Sequence, residues 1–293
     1  MARKGNFNVF SAHAWYVPGV GGMFVLLAFL LGGALLGNII SLIFMAVGGQ
    51  QAATEYSMLL SYPLLFIPAM FFVAIRSRNL SLDHKGFSLD SSHFGALGGW
   101  LCSLLAIVGT FAAAFSSDVV ISILPPIPEW LKAVMGSLTG GELWVNFLLV
   151  SIMAPLFEEW LCRGMVLRGL LNSGKMKPGW AIAVSAVFFA LIHANPWQAI
   201  PAFILGCLFG YVYYKTGSLR LTMLMHFTNN TIALACAHVW PEAESWVDVL
   251  GKYYAPLCLL GVVITGLVLL AFSKIKTQSA EGNCDSVAPL FSE

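Results

Sequence analysis

Charged residues are scarce in this chain of 293 residues. They make up 10% of the sequence, whereas hydrophobic residues make up 58%, and a typical soluble domain carries about 25% charged residues. The formal net charge is only +1, so no overall field favours nucleic acid as a partner. These shortages argue against a soluble enzyme or a disordered chain, and they favour a membrane protein.

Paired cysteines are also missing. Five of the six cysteines lie inside apolar runs, and no CxxC spacing occurs. This pattern excludes a disulfide framework and a thiolate metal site. We expect these five cysteines to act as small apolar packing residues. They are Cys102, Cys162, Cys207, Cys236 and Cys258.

Long apolar runs dominate the sequence instead. Several exceed the roughly 18 uncharged residues that mark a membrane-spanning helix, and they predict an all-α polytopic membrane protein with about eight transmembrane helices. A proline-rich stretch, 124–130, predicts an interfacial loop that leads into a short amphipathic piece. The predicted spans are 20–47, 57–75, 94–116, 143–167, 179–194, 197–214, 219–239 and 253–272.

The basic residues segregate to one side of these eight spans. Only Lys132 and Lys252 fall on the side opposite to the termini, while twelve others fall on the same side as the termini. Such a split predicts cytoplasmic termini, in a multi-pass protein of the plasma (inner) membrane. The twelve are Arg3, Lys4, Arg76, Arg78, Lys85, Arg168, Lys175, Lys177, Lys215, Arg220, Lys274 and Lys276.

Two glycine pairs have the GxxxG spacing that permits close contact between membrane helices. Gly33 and Gly37 lie in the first span, and Gly206 and Gly210 lie in the sixth. We expect both pairs to face a neighbouring helix.

The fourth span contains ionisable residues, each of which costs at least about 2.5–3.5 kcal/mol in the membrane centre. Glu159 and Arg163 are four residues apart with the acid first, which favours a helical ion pair that orients the helix. Glu158 points about 100° away on a regular helix. It must therefore take up a proton or find a partner on another helix.

Two further spans supply polar groups that can meet Glu158. His193 lies at the end of the fifth span, and His226 and Asn230 share one face of the seventh. Each of these residues alone also fits a structural role, as a satisfied core histidine or as a hydrogen bond between helices. Their conjunction favours a functional polar site, and the residues alone leave hydrolysis and ion transport open.

The three motifs resemble the signature of the CPBP family, the CAAX-protease and bacteriocin-processing (Abi) intramembrane endopeptidases. They read Glu158-Glu159-x-x-x-Arg163, then Phe189-x-x-x-His193, then His226-x-x-x-Asn230. Order and internal spacing agree in all three, over roughly residues 143–240.

The predicted spans, together with the resemblance over 143–240, divide the chain into four parts. Three N-terminal helices and a connecting amphipathic segment occupy 1–142, and a catalytic core of four helices occupies 143–240. The last transmembrane helix lies in 241–276, and a polar cytoplasmic tail follows in 277–293.

The resemblance also implies a mechanism. Glu158 would be the general base that activates a water, and His193 would hold the same water. His226 and Asn230 would form the oxyanion hole, and Glu159 and Arg163 would support the fourth span. The implied substrate is a membrane-tethered or prenylated peptide or protein, and no cofactor is expected.

Two alternatives stay open at this point. Two histidines and a glutamate make a plausible catalytic zinc set, although the HExxH pattern is absent. A proton-coupled carrier or adaptor also uses intramembrane Glu and His, although the internal repeat typical of many secondary transporters is absent.

Overall fold

The computed structural model describes residues 11–78, 89–139 and 142–277. Within these ranges the chain is helical and contains no strand, which confirms the predicted all-α membrane fold. Residues Arg3, Lys4 and Lys85 of the charge census lie outside the described ranges, as does 278–293 of the predicted tail. The helices are α1 (Val20–Arg78), α2 (Gly98–Ser117), α3 (Val119–Ile123), α4 (Glu129–Thr139), α5 (Leu143–Asn172), α6 (Pro178–Leu191), α7 (Pro196–Thr216), α8 (Leu219–Val239), α9 (Trp246–Leu250) and α10 (Tyr254–Ser273).

Six helical segments are long and apolar enough to cross a membrane, whereas the sequence predicted eight spans. The described residues place a helix at each of the eight predicted positions, but α6 has only 14 residues and α8 does not meet the same apolar criterion. The difference has a physical reason. Helix α6 stops before Asn195-Pro196, and α8 carries the polar residues of the third motif. The six segments are Val20–Ala53, Tyr56–Ser77, Gly95–Ile123, Leu143–Asn172, Pro196–Thr216 and Trp246–Ser273.

Helix α1 is folded into a hairpin. Its two arms meet at Gly49, which has a φ of 75° that few other residues adopt. A Cβ at Gly33 would collide with the backbone carbonyl of Leu65, and the hydroxyl of Ser61 donates to the carbonyl of Gly37 at 3.0 Å. The first predicted glycine pair therefore lets the arms pack backbone to backbone.

Helices α6 and α7 form a second antiparallel pair. A Cβ at Gly206 would lie 3.1 Å from the Cα of Ala186, and one at Gly210 would lie 3.0 Å from Cγ2 of Ile182. The second glycine pair thus faces a neighbouring helix, as predicted. Close packing here matters for the site, because it brings the end of α6 against the centre of α7.

Two apolar cores meet at α7. One contains buried side chains of α1, α5 and α6, with Tyr213 from α7. The other contains buried side chains of α2, α8 and α10, with Phe209 from α7. The predicted interfacial loop is present as extended chain at Leu124, followed by α4.

Candidate active site

Helix α5 carries the two glutamates and is not a uniform α-helix. Wider π-helical turns cover Phe147–Met153 and Trp160–Leu167, and an α-helical stretch, Ala154–Glu159, lies between them. Such turns within a longer helix occur frequently at functional sites. Here they flank the stretch that presents Glu158 and Glu159.

Glu159 is the centre of a buried hydrogen-bond network that joins three helices. Its Oε1 accepts from Nη1 of Arg163 at 2.6 Å and from Nδ1 of His226 on α8 at 3.1 Å. Both Glu159 and Arg163 are 0% exposed. Nη2 of Arg163 donates to the carbonyl of Gly206 on α7 at 3.1 Å. The ion pair predicted from the i,i+4 spacing is present, and it also holds His226, a bond that the sequence did not predict.

The ring of Phe189 on α6 contacts both histidines. Its centroid lies 5.0 Å from that of His193 and 5.3 Å from that of His226, and both contacts are edge to face. The guanidinium carbon of Arg163 lies 4.5 Å from the same centroid and 5.3 Å from that of Phe209, within the range of a cation–π interaction. The structure therefore brings Arg163, His193 and His226 to one aromatic centre.

His193 lies just beyond α6, in the turn that leads to α7. Its Nδ1 is 2.8 Å from the carbonyl oxygen of Phe189. A carbonyl only accepts, so Nδ1 donates and Nε2 of the neutral ring is left as an acceptor. The turn is completed by Ala194, with a φ of 57°, and by Asn195, whose side chain accepts from the backbone N–H of Gln198 at the start of α7. The chain thus holds this imidazole by backbone geometry.

His226 and Asn230 are bonded differently from each other. Nδ1 of His226 donates to Glu159, so only a doubly protonated ring also presents an N–H at Nε2. The amide nitrogen of Asn230 donates to the carbonyl of Val150 at 2.8 Å, and its oxygen accepts from Asn229 at 3.0 Å. An amide nitrogen carries two N–H bonds. One of them therefore remains for another acceptor.

Glu158 has a partner that sequence analysis missed. Its Oε1 accepts from the hydroxyl of Tyr62, on the second arm of α1, at 2.6 Å. Its Oε2 is buried and has no hydrogen-bond partner, and no described cationic side chain lies within ion-pair distance. The predicted need for a partner on another helix is met by a neutral donor. The only signal in the sequence is a tyrosine inside an apolar run, where a phenolic hydroxyl normally needs a partner.

The side-chain positions bear on the alternative of a catalytic zinc site. Within the described ranges, no group of three or more His, Cys, Asp or Glu side chains is arranged to hold a metal ion. The one Glu–His contact of the site uses Nδ1 of His226 and the acid Glu159, which is already paired with Arg163.

The fold and these motifs define a polytopic membrane protein with a polar centre built on α5 to α8. Residues 140–232, which contain all three motifs, match the family described as type II CAAX prenyl endopeptidase, Rce1-like. Over residues 140–232, this match supports the resemblance to the CPBP (CAAX-protease) family that the motifs predicted.

One curated relative is the membrane-embedded CAAX protease MroQ of Staphylococcus aureus (strain USA300). It is 32% identical over 99 residues, which are 32% of this chain and 40% of that protein. The chain therefore matches less than half of its relative's length. No solved structure matches the chain significantly.

Proposed function

We propose that this protein is an intramembrane endopeptidase that hydrolyses a peptide bond of a membrane-associated or lipidated substrate. Glu158 is the general base in this proposal, and His193 helps to hold the attacking water. His226 and Asn230 stabilise the oxyanion, while Glu159 and Arg163 hold α5 and His226 in place. The proposed substrates are prenylated CAAX-type peptides, which the Rce1-like match supports, and leader-type peptides, which the resemblance to bacteriocin-processing endopeptidases implies.

The different environments of the two adjacent glutamates carry the proposal. The charge of Glu159 is compensated by Arg163 at 2.6 Å. Glu158 has only a neutral hydroxyl as a partner and keeps one buried oxygen unbonded. A carboxylate without a cation and with a free oxygen is suited to taking a proton from water, whereas a carboxylate in an ion pair is suited to structural support.

The proton transfers of the proposed reaction balance within these groups. Glu158 takes a proton from water, and the resulting hydroxide attacks the scissile carbonyl carbon. The carbonyl oxygen becomes negatively charged, and Glu158 then returns the proton to the leaving amine as the C–N bond breaks. Nε2 of His193, an acceptor in the neutral ring, can take the second hydrogen bond of the water. General-base help of this kind typically contributes about 10²–10⁴-fold.

In the proposed reaction, the oxyanion accepts hydrogen bonds from Asn230 and from His226. Asn230 has one N–H left after bonding Val150. His226 can donate from Nε2 only as an imidazolium, with Glu159 bonded at its other nitrogen. Losing one such donor typically costs about 2.7–4 kcal/mol in the transition state.

The test of this proposal compares the reconstituted parent protein with Glu158→Gln and His193→Ala on a panel of prenylated and unprenylated reporter peptides. We expect both variants to lose cleavage, and we expect the parent to retain it in chelator. Glu142→Gln and His238→Ala are matched controls, because both side chains are exposed and lie outside the site.

Other outcomes of this test would change the role of Glu158, the metal dependence or the proposed protein class. Cleavage by Glu158→Gln at the parental rate would remove Glu158 as the base. Loss of parental cleavage in chelator, restored by added zinc, would favour the metal-dependent version of the protease. Proton-driven flux in liposomes without any cleavage would favour a carrier.

The proposal includes an orientation, with both termini cytoplasmic in the plasma (inner) membrane. Its support is the twelve-to-two division of basic residues between the two sides. Cysteines placed at Lys252 and Lys276, both exposed, test it in intact cells. A membrane-impermeant maleimide should label Lys252→Cys and should not label Lys276→Cys; the reverse pattern would invert the topology.

A further inference from the structure

One side chain from the N-terminal half of the chain reaches the proposed catalytic acid. Tyr62 lies on the second arm of α1, 96 positions away from Glu158 in sequence, and its hydroxyl donates to Oε1 at 2.6 Å. It lies outside residues 140–232, the segment that matches the Rce1-like family. No motif of the core therefore accounts for it.

We propose that Tyr62 is a positioning residue of the endopeptidase, holding Oε1 of Glu158 so that Oε2 is the oxygen presented to the attacking water. This inference rests on the function proposed above. It adds a requirement to that function, because the catalytic core then depends on the α1 hairpin for the orientation of its base.

The hydroxyl is aimed by the aromatic packing around it. The Tyr62 ring centroid lies 5.5 Å from that of Phe66 and 6.3 Å from that of Phe157, and those two rings stack on each other at 5.1 Å with an interplanar angle of 11°. Phe66 is only 3% exposed, and Phe157 directly precedes Glu158. The packing therefore couples the position of the tyrosine ring to the backbone that carries the acid.

The partner that holds Glu158 is neutral. An ionised carboxylate only accepts, so the phenol of Tyr62 is the donor, at 2.6 Å. A neutral donor fixes the carboxylate without supplying the positive charge that Arg163 supplies to Glu159. The acid is therefore oriented without being paired with a cation.

The two carboxylate oxygens of Glu158 are thus unequal. Oε1 is occupied by the phenol, while Oε2 is buried and has no partner. A buried acceptor without a hydrogen bond is costly unless a group that is not part of the chain bonds to it. The attacking water is the group that the proposed reaction requires at this point.

The experiment measures kcat and KM of Tyr62→Phe on a cleaved reporter peptide. The phenylalanine keeps the ring packing and removes the donor. We expect kcat to fall about 10–100-fold, the equivalent of one hydrogen bond to a charged group, with KM changed less than about twofold.

Tyr253→Phe is the control for loss of a phenol, because its ring is 62% exposed and lies at the start of α10, away from the site. Thermal unfolding of each variant separates a catalytic effect from a folding effect. Parental kcat in Tyr62→Phe would overturn the positioning role while leaving Glu158 as the base. Parental cleavage by Glu158→Gln would instead overturn the proposed function itself.

Discussion

The α1 hairpin and helix α5 differ sharply in their surroundings, although both are membrane-spanning. In an apolar 18-residue stretch of each hairpin arm, 22% and 17% is buried, whereas 56% of the corresponding stretch of α5 is buried. The hairpin presents large apolar side chains on its outside, among them Phe24, Leu31 and Leu42, each at least 63% exposed. Helix α5 holds Glu158, Glu159 and Arg163.

This difference shows where a membrane protein can place ionisable groups. Lipid solvates the apolar hairpin well, so its surface needs no partner from the protein. A charge in the same surroundings would be costly, and the glutamates are accordingly on the helix that neighbouring helices enclose. The hairpin contributes one neutral partner to Glu158, the hydroxyl of Tyr62. We expect perturbations of α5 to have larger effects than those of the hairpin.

The largest effect on stability should follow Arg163→Met. The substitution leaves Glu159 as a fully buried carboxylate without its cation, and removing one partner of a buried ion pair typically costs about 3–5 kcal/mol. Unfolding in detergent micelles, followed by circular dichroism, measures the loss. Adding Glu159→Gln to Arg163→Met should recover part of it, because the unpaired charge is then gone.

Lys132→Met is the control for the loss of a cation from an exposed ion pair. Lys132 pairs with Glu129 at 3.2 Å and with Glu244 at 2.7 Å, and all three side chains are at least 35% exposed; such pairs typically contribute about 1 kcal/mol or less. Equal losses for Arg163→Met and Lys132→Met would contradict the view that enclosure of α5 sets the strength of its ion pair.

The local part of this site was predictable from sequence, and the long-range part was not. The Glu159–Arg163 pair follows from helical spacing, and the glycine pairs indicated close helix contacts. The bond between Glu159 and His226, however, depends on how α5 packs against α8. Nothing local encodes that packing.

The shapes of individual elements also escaped the sequence. The π-helical turns of α5 leave no distinct period in a run that is apolar nearly all round. Asn195-Pro196 predicted the break between the fifth and sixth spans. Helix α6, however, already ends at Leu191, and His193 lies in the connection that follows it rather than in the helix. Tyr62 was missed because its partner is 96 positions away.

A smaller effect is expected where the two arms of the hairpin touch. Gly33→Ala places a methyl group against the backbone carbonyl of Leu65, which cannot give way as a flexible side chain can, so we expect about 1–3 kcal/mol of destabilisation. Because the second arm carries Tyr62, kcat should also fall. The neighbouring Gly32→Ala is the control, since a Cβ there meets nothing within 4 Å. Equal behaviour of the two variants would show that the arms do not need this contact.

The smallest effect concerns the N-terminal segment that joins the two regions. His13 packs edge to face on Trp160 of α5, with ring centroids 5.6 Å apart, and the carbonyl of Ala14 accepts from Arg168 at 2.7 Å. On the hairpin side, the backbone N–H of Trp15 donates to Ser77 at 2.9 Å. Residues 13–15 therefore hold the end of the hairpin against α5.

Acidification should weaken the docking of residues 13–15 against α5 and the hairpin. Burial lowers the pKa of His13 below its ordinary value of 6.5, and a backbone hydrogen bond at Met70 offsets part of the effect. The released segment takes up a proton at about pH 6.5 whereas the docked one resists it, so docking is undiminished above that pH and weakens as the pH falls below it. Hydrogen exchange of residues 11–19, corrected for the intrinsic pH dependence, should rise between about pH 7.5 and about pH 5.5. The rise should be absent in His13→Phe, which keeps an aromatic ring against Trp160 but cannot titrate; an equal rise in that variant would assign the pH effect to another group.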